Sequence, residues 1–135
     1  MEKIIRKGIA FDQEQLRLFD NQIRKKGYKN RSEAIRDMIR KGIIEEQQEN
    51  PEANMIATLT ILYDHHEHHV QDELTHIQHN HPNLIRSSLH IHINHDNCLE
   101  VIIIKGKVKN IKKLSDEIIA AKGVKNGKLI MTNII

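Results

Sequence analysis

The segment at positions 90–98, with the sequence HIHINHDNC, carries the side chains in this protein that are best suited to chemistry. It holds the single cysteine and three of the ten histidines, and all ten histidines lie between His65 and His95. A thiolate beside imidazoles is a mixed sulfur and nitrogen ligand set. Such a set suits borderline transition metals, including zinc, copper(II) and nickel(II). The segment therefore predicts a transition-metal site.

Strand geometry determines which of these side chains can share one ion. Residues two apart on a strand face the same side, so His90, His92 and Asn94 share a face. Cys98 joins that face only if the hairpin loop has an odd number of residues, and a three-residue loop at 95–97 meets this condition. In that register His92 lies opposite Glu100, whose carboxylate could accept the free ring N–H of the histidine. A two-residue loop would instead place Cys98 on the other face.

Three ligands leave one coordination position to fill. His79 and His81, at the end of the preceding predicted helix, are the stronger candidates. The weaker candidates are His65, His66, His68, His69, His76 and His95. Each of these is more simply read as a solvated surface side chain. Four protein ligands would leave no open position for a substrate, and the sequence shows no nucleophile–base pair, so we predict that the protein is not an enzyme.

The elements before the histidine-rich part predict a strand followed by two helices. Residues 4–11 predict a short strand, and Asp12 with Gln15 predicts a capped helix start. Gly27 ends that helix, and Asn30 begins a second one. A single strand has no partner for its backbone groups, so this unit cannot fold alone. Two copies would pair their strands into a ribbon, which is the ribbon-helix-helix architecture that reads the DNA major groove.

Charge is distributed unevenly along the chain. Residues 1–44 carry a net charge of +6 and residues 45–135 carry a net charge of −3. A basic N-terminal segment suits a phosphate-bearing partner such as DNA, although a solvated basic surface explains it equally well.

The second half of the chain predicts an α+β domain. Residues 45–53 are polar and acidic, and Pro51 would break a helix there. Beyond them, strand and helix patterns follow in the order βαββαβ, which is the ferredoxin-like arrangement used by ACT-type ligand-sensing domains. We therefore predict a ribbon-helix-helix domain at 1–48, a linker at 49–53 and an ACT-like, metal-binding domain at 54–135, to which the family resemblance described next adds a role in tetramerisation.

Several sequence segments resemble the nickel-responsive regulator family. The resemblance rests on GYKNRSEAIRD at 27–37 and SLHIHINHDNCLE at 88–100, with KG at 105–106 and KGVKNGKL at 122–129. It implies a homotetramer built as a dimer of dimers, with square-planar Ni(2+) between subunits. The implied ligands are His90, His92 and Cys98 of one chain and His79 of a neighbouring chain.

The resemblance also implies two further sites in the N-terminal part. Family members bind a second cation between their domains, and Glu33 and Asp37 match the residues involved. The ribbon face would contact palindromic operator DNA through Arg6, Gly8 and Ala10, and phosphates would be contacted by Asn30, Arg31 and Ser32. The family prefers hydroxyl side chains at the second and third ribbon positions. Glycine and alanine there offer no side-chain hydrogen bond, so base readout would rest mainly on Arg6.

The resemblance and the residues together predict a nickel-dependent, DNA-binding transcriptional repressor of nickel-uptake genes. The alternatives are a metal buffer or carrier with a weakened DNA-binding domain, a regulator of another transition metal, and an antitoxin-like DNA binder that senses an amino acid. The first residues lack an apolar signal region and no segment has the length of a membrane span, so we expect a cytoplasmic protein. No protein partner other than further copies of the chain is implied.

Overall fold

The computed structural model describes residues 2–135, apart from the side chain of His68. The chain forms two compact units, Met1–Lys41 and Gly42–Ile135. Its elements, in chain order, are α1 (Gln13–Lys25), α2 (Arg31–Gln48), β1 (Asn54–Asp64), α3 (His68–His79), β2 (Ile85–His92), β3 (Asn97–Lys107), α4 (Val108–Ile119) and β4 (Val124–Thr132).

The predicted helix boundaries of the first unit are confirmed by their capping contacts. The Asp12 carboxylate accepts the backbone N–H of Gln15 at 2.7 Å, so the first turn of α1 has a side-chain partner. Gly27 follows α1 with a φ of +81°, which is the left-handed conformation that ends many helices. The Asn30 side chain accepts the backbone N–H of Glu33 at 2.9 Å and caps α2.

The strand predicted at 4–11 is not formed. Residues 2–12 have no regular secondary structure, and their side chains are exposed. Within the described part of this unit the remaining elements are helices, so no second strand is available to satisfy the backbone donors and acceptors of this segment. The predicted strand depends on pairing with a second copy of the chain, because a strand is stable only when it is paired, and the ribbon stays a prediction.

The second unit has the predicted βαββαβ order and α+β fold. Its antiparallel sheet has the strand order β2-β3-β1-β4. Alternate residues of the central strand β1 are buried, from Met55 to Tyr63, and face the two helices. The helix residues in this core are Val70, Leu74 and Ile77 of α3 and Val108, Ile111, Leu114 and Ile118 of α4. On each helix these apolar side chains recur at helical spacing and form one buried stripe.

One glycine allows the start of α3 to pack closely against the turn before β4. Gly123, just after α4, has a φ of +93°, which an L side chain rarely adopts. A Cβ at this position would lie 2.0 Å from the Cγ2 atom of Val70. The close approach sets the start of α3 against the beginning of β4.

The sheet face away from the helices carries exposed apolar side chains. The residues concerned are Leu89, Ile91, Ile103 and Ile130, and Ile93 just beyond β2 is also exposed. The strand β2 lies at the sheet edge, and seven of its eight residues are exposed. An open apolar face of this size is typical of a surface that contacts another protein molecule. Among the described residues, every helix is too short or too polar to cross a lipid bilayer.

Candidate metal centre and nucleic-acid interface

The hairpin that joins β2 to β3 brings the predicted histidines and the cysteine to one face of the sheet. His92 pairs with Cys98, and His90 pairs with Glu100. The backbone N–H of Ile93 donates to the carbonyl of Asn97 at 3.0 Å, which leaves a three-residue tip at 94–96. The predicted shared face and loop length are therefore confirmed. The predicted register was wrong. The tip lies at 94–96 instead of 95–97, so each residue of β2 pairs with a residue of β3 two positions earlier than predicted.

The side chain of Asn94 explains the position of the tip. Its Oδ1 atom accepts the backbone N–H groups of Asp96 and Asn97, each at 3.0 Å. An asparagine at the first turn position stabilises the turn that follows it. Asn94 therefore begins the turn, whereas the sequence prediction had placed it on the strand opposite Cys98.

Two imidazoles contact the buried sulfur of Cys98. The Nδ1 atom of His92 lies 3.4 Å from Sγ, and the Nδ1 atom of His65 lies 3.3 Å from it. The donor atoms of these three residues all lie within 4.8 Å of one another. We call His65, His92 and Cys98 the thiolate cluster.

His65 was only a weak candidate in the sequence. It follows the end of β1, whose Tyr63 pairs with Cys98 across the sheet. The signal that could have found it is the ferredoxin-like topology itself, because the end of β1 lies beside the start of β3 in that fold. Partial desolvation lowers the pKa of His65, and the neighbouring imidazoles, His92 first among them, lower it further. Both effects favour the neutral ring, which is the form that binds a metal.

His90 lies beside the thiolate cluster without belonging to it. Its Nδ1 atom is 3.2 Å from the hydroxyl of Tyr63, and its ring centroid is 5.2 Å from that of His92. Burial raises the pKa of Tyr63, and the nearby Glu100 and Cys98 raise it further, so the hydroxyl keeps its proton. This proton is available to orient the His90 ring from within the core.

Glu100 is buried and does not take the predicted role beside His92. Its carboxylate accepts a hydrogen bond from the Gln78 side chain at 3.1 Å, and its strand partner is His90. Burial raises the pKa of Glu100, while the hydrogen bond from Gln78 and the charge of His90 oppose the shift. The shift of register by two residues is the reason that the predicted pairing with His92 was wrong.

The raised pKa of Glu100 predicts that Glu100→Gln stabilises the metal-free protein at neutral pH. The folded state holds the Glu100 proton more tightly than the unfolded state, so ionisation costs stability as pH rises above the ordinary value of 4.5. Glutamine is neutral and can still accept from Gln78. We expect a melting temperature a few degrees above wild type at pH 8, with the difference vanishing near pH 4, measured by circular dichroism. The exposed Glu73→Gln serves as control, and an unchanged or lower melting temperature for Glu100→Gln at pH 8 contradicts the prediction.

The other histidines lie in different surroundings. His79 is exposed at the end of α3 and belongs to neither donor cluster of the described residues. His81 lies 3.5 Å from the carboxylate of Glu117, which makes it less available as a ligand. His69 and His76 are exposed on α3. The side chain of His68, a weak candidate, lies outside the described residues. His66 and His95 form a second group with Asp96.

The thiolate cluster fits a borderline transition metal ion. Bonds of about 2.3 Å to sulfur and about 2.0 Å to nitrogen place donor atoms roughly 3 to 3.6 Å apart. The sulfur–nitrogen distances of 3.3 and 3.4 Å fall in that range. The Cys98 side chain is fully buried, and both imidazole nitrogens lie within 3.4 Å of its sulfur. Donor type and donor spacing therefore both suit an ion held at this point.

The predicted DNA-contacting residues lie in two places of the first unit. Arg6, Gly8 and Ala10 are exposed in the segment before α1. Asn30 caps α2, and the exposed Ser32 lies in its first turn, where free backbone N–H groups favour a phosphate. Arg31 instead forms two hydrogen bonds to Asp20, at 2.8 and 2.9 Å. A phosphate contact from Arg31 would therefore compete with that carboxylate.

Glu33 and Asp37, predicted as a second cation site, line one surface cavity with Tyr28, Arg36 and Arg40. Asp37 accepts a hydrogen bond from the Tyr28 hydroxyl, and its other close partner is the Lys41 ammonium at 3.2 Å. The Tyr28 hydrogen bond and then Lys41 lower the pKa of this carboxyl. A bound cation would have to compete with Lys41 for Asp37, and the site stays a prediction.

Comparison with known proteins matches both units of the chain. Residues 56–132 match the profile described as the NikR C-terminal nickel-binding domain, and residues 8–46 match that of ribbon-helix-helix proteins of the copG family. Relatives from Pelobacter propionicus, Geobacter metallireducens and Geobacter sulfurreducens are 48, 47 and 46% identical, over 98% of this chain and 95% of each relative. All three are provisionally named nickel-responsive regulators.

A solved structure shares part of the fold at lower similarity. An uncharacterized protein from Thermotoga maritima superposes with a TM-score of 0.52 and 18% identity, covering 58% of this chain and 96% of that one. At this level of identity the likeness concerns the fold alone.

Proposed function

The chain belongs to the family of nickel-responsive regulators, and from this premise we propose that it is a repressor of nickel-uptake genes whose operator binding depends on nickel(II). Membership of a regulator family also confirms that the chain is not an enzyme. The observation that carries the proposal is the buried Cys98 sulfur with two imidazole nitrogens at 3.3 and 3.4 Å. The protein would act in the cytoplasm, where its operator lies.

The proposed ligands are His90, His92 and Cys98 of one chain and the partner subunit's His79. A strong-field thiolate with nitrogen donors favours a square plane for nickel(II), and a filled plane leaves no position for a substrate. Nickel(II) bound there would supply a fixed link between two chains. The exposed position of His79, outside both clusters of the described residues, is consistent with donation to another chain.

His65 and His90 are alternative candidates for one coordination position of the proposed nickel site. The resemblance implies His90, whereas the single chain brings His65 to the sulfur. His90 is positioned by the Tyr63 hydroxyl on the same sheet face, so a change of its rotamer would turn it toward Cys98. The two histidines make distinct predictions, which are given in the Discussion.

A homotetramer would bury the two apolar surfaces that the single chain exposes. In the first unit, exposed apolar side chains surround a groove between α1, α2 and the segment before α1. In the second unit, exposed apolar side chains lie on the sheet face away from the helices. We propose that the first surface forms the DNA-binding dimer and the second joins two dimers. A metal site divided between chains gives its binding free energy only to the assembled form, which couples metal to DNA binding.

In the proposed tetramer, the operator contacts come from two ribbons, each made of two paired strands, and from the starts of the four α2 helices. Arg6 would read guanine, Ala10 would touch a thymine methyl, and Gly8 would allow close approach of the backbone. Asn30, Arg31 and Ser32 would hold phosphates at the start of α2. Two-fold symmetry of each dimer implies a palindromic operator.

The test is a selection of genomic fragments in the presence of nickel, followed by affinity measurements with and without the metal. We expect nickel to raise affinity for the selected fragment at least ~100-fold, which is within the range of specific over non-specific binding. Affinity should also fall steeply with salt, with a log–log slope of about −0.9 for each phosphate contact. Equal affinity with and without nickel would refute the regulatory role.

A metal buffer or carrier is the second candidate function. It is favoured by the ribbon positions Gly8 and Ala10, which carry no hydrogen-bonding side chain. A buffer would bind nickel with the thiolate cluster yet select no DNA fragment above background, so the same selection distinguishes the two functions.

A further inference from the structure

A second group of metal-ligating side chains lies outside the thiolate cluster. His66, His95 and Asp96 are exposed, and each offers a donor atom within 4.8 Å of the other two. We call them the outer trio. Neither the proposed nickel ligands nor the proposed DNA contacts include any of the three.

The spacing of the outer trio matches that of ligands around one ion. The Nε2 atom of His66 lies 3.0 Å from the Oδ1 atom of Asp96, and the rings of His66 and His95 have centroids 4.9 Å apart at 65°. Metal bonds of about 2.0 to 2.2 Å place nitrogen and oxygen donors roughly 3 Å apart. Small side-chain rotations would therefore bring all three donors to one ion.

The backbone holds the two segments of the outer trio together. The N–H of His65 donates to the carbonyl of Asp96 at 2.8 Å, which joins the end of β1 to the hairpin tip. The N–H of His66 donates to the Asp64 side chain at 2.8 Å, and the Asn94 side chain holds the N–H of Asp96. A site whose supporting backbone is already ordered loses less entropy on binding.

The outer trio is separate from the thiolate cluster but adjacent to it. The ring of His65, which belongs to the thiolate cluster, has its centroid 5.6 Å from that of His66 in the trio and 4.7 Å from that of His92 in its own cluster. The trio has no sulfur donor and is open to solvent, so water can fill its remaining coordination positions. Two imidazoles with one carboxylate suit zinc, nickel or copper(II) better than calcium or magnesium, which prefer oxygen ligands.

We propose that His66, His95 and Asp96 form a second, solvent-facing site for a borderline divalent transition metal ion. It binds more weakly than the thiolate cluster because three exposed protein donors replace a buried sulfur-containing set. The site is therefore filled after the first ion and exchanges more readily.

Zinc titration of the full-length protein tests this site. The protein first receives one equivalent of nickel per chain, and the thiolate-to-nickel absorption band reports on Cys98. Zinc binding is then measured by isothermal titration calorimetry for wild type, His66→Gln and Asp96→Asn. We expect each variant to lose at least ~10-fold in zinc affinity, since even partners that only support a ligand are worth 10- to 100-fold. The nickel band should be unchanged in both.

The exposed His69→Gln is the matched control, because it removes an imidazole from the same region without touching either cluster. Wild-type zinc binding in both His66→Gln and Asp96→Asn would overturn the proposal. A variant that loses both the nickel band and zinc binding would also overturn the proposal, because the trio would then belong to the thiolate cluster. A protein without nickel-dependent operator binding could still pass this test, so failure of the proposed function and failure of this site are distinguishable.

Discussion

Cys98→Ala is expected to abolish the nickel-dependent gain in operator affinity, a loss of at least ~100-fold at saturating nickel. Removing a sulfur ligand costs more than removing a group that merely orients a ligand, which is itself worth 10- to 100-fold. The side chain is fully buried with two imidazoles beside it, so no other residue can take over its role. Affinity without nickel should stay at the wild-type value.

The measurement is operator binding by fluorescence anisotropy, together with the absorption band of the nickel-loaded protein. Ser115→Ala is a suitable control, because Ser115 is also small, polar and buried but lies on α4. Sedimentation analysis verifies that both variants assemble like the wild type. Retention of the nickel response by Cys98→Ala would refute the proposed role of the thiolate.

The same assay distinguishes His65 from His90. If the proposed ligand set holds, His90→Gln removes the nickel response, and His65→Gln only weakens it by altering the surroundings of the sulfur. The opposite ranking would assign the ligand position to His65, which the single chain places 3.3 Å from Sγ.

Met38→Glu is expected to separate the N-terminal dimers and to remove operator binding with or without nickel. Met38 lies on the apolar groove of the first unit, and its side chain is 55% exposed in the single chain. The other groove residues are Ile9, Phe11, Gln15, Leu18, Phe19, Gln22, Ile35 and Ile39. Pairing would bury this groove, and an unpaired carboxylate there costs several kcal/mol. Both copies would contribute the charge, so the effect on the dimer is doubled.

Sedimentation velocity measures the assembly, and anisotropy measures operator binding. Gln13→Glu is the control, because it adds the same charge on α1 outside the groove. The nickel absorption band of Met38→Glu should persist, because the thiolate cluster belongs to the second unit. Wild-type assembly of Met38→Glu would show that the groove is not the dimer surface.

Short-range signals in the sequence determined most of the helices and strands. Asp12 and Asn30 cap the helices that they were predicted to begin, because a capping side chain reaches only a few residues along the chain. The buried residues of α3 and α4 follow the helical period, which is likewise a local property. The odd loop between β2 and β3 placed Cys98 on the face of His90 and His92, as strand parity requires.

Contacts between distant segments decided the composition of the site. The tip at 94–96 shifted the hairpin by two residues, so Glu100 lies opposite His90 and accepts from Gln78. His65 reaches Cys98 from 33 positions away because β1 and β3 are neighbours in the sheet. The shared face of His90 and His92 follows from the alternation of one strand. Register and donor sets instead depend on turn hydrogen bonds and packing among residues far apart in sequence, which only the tertiary structure brings together.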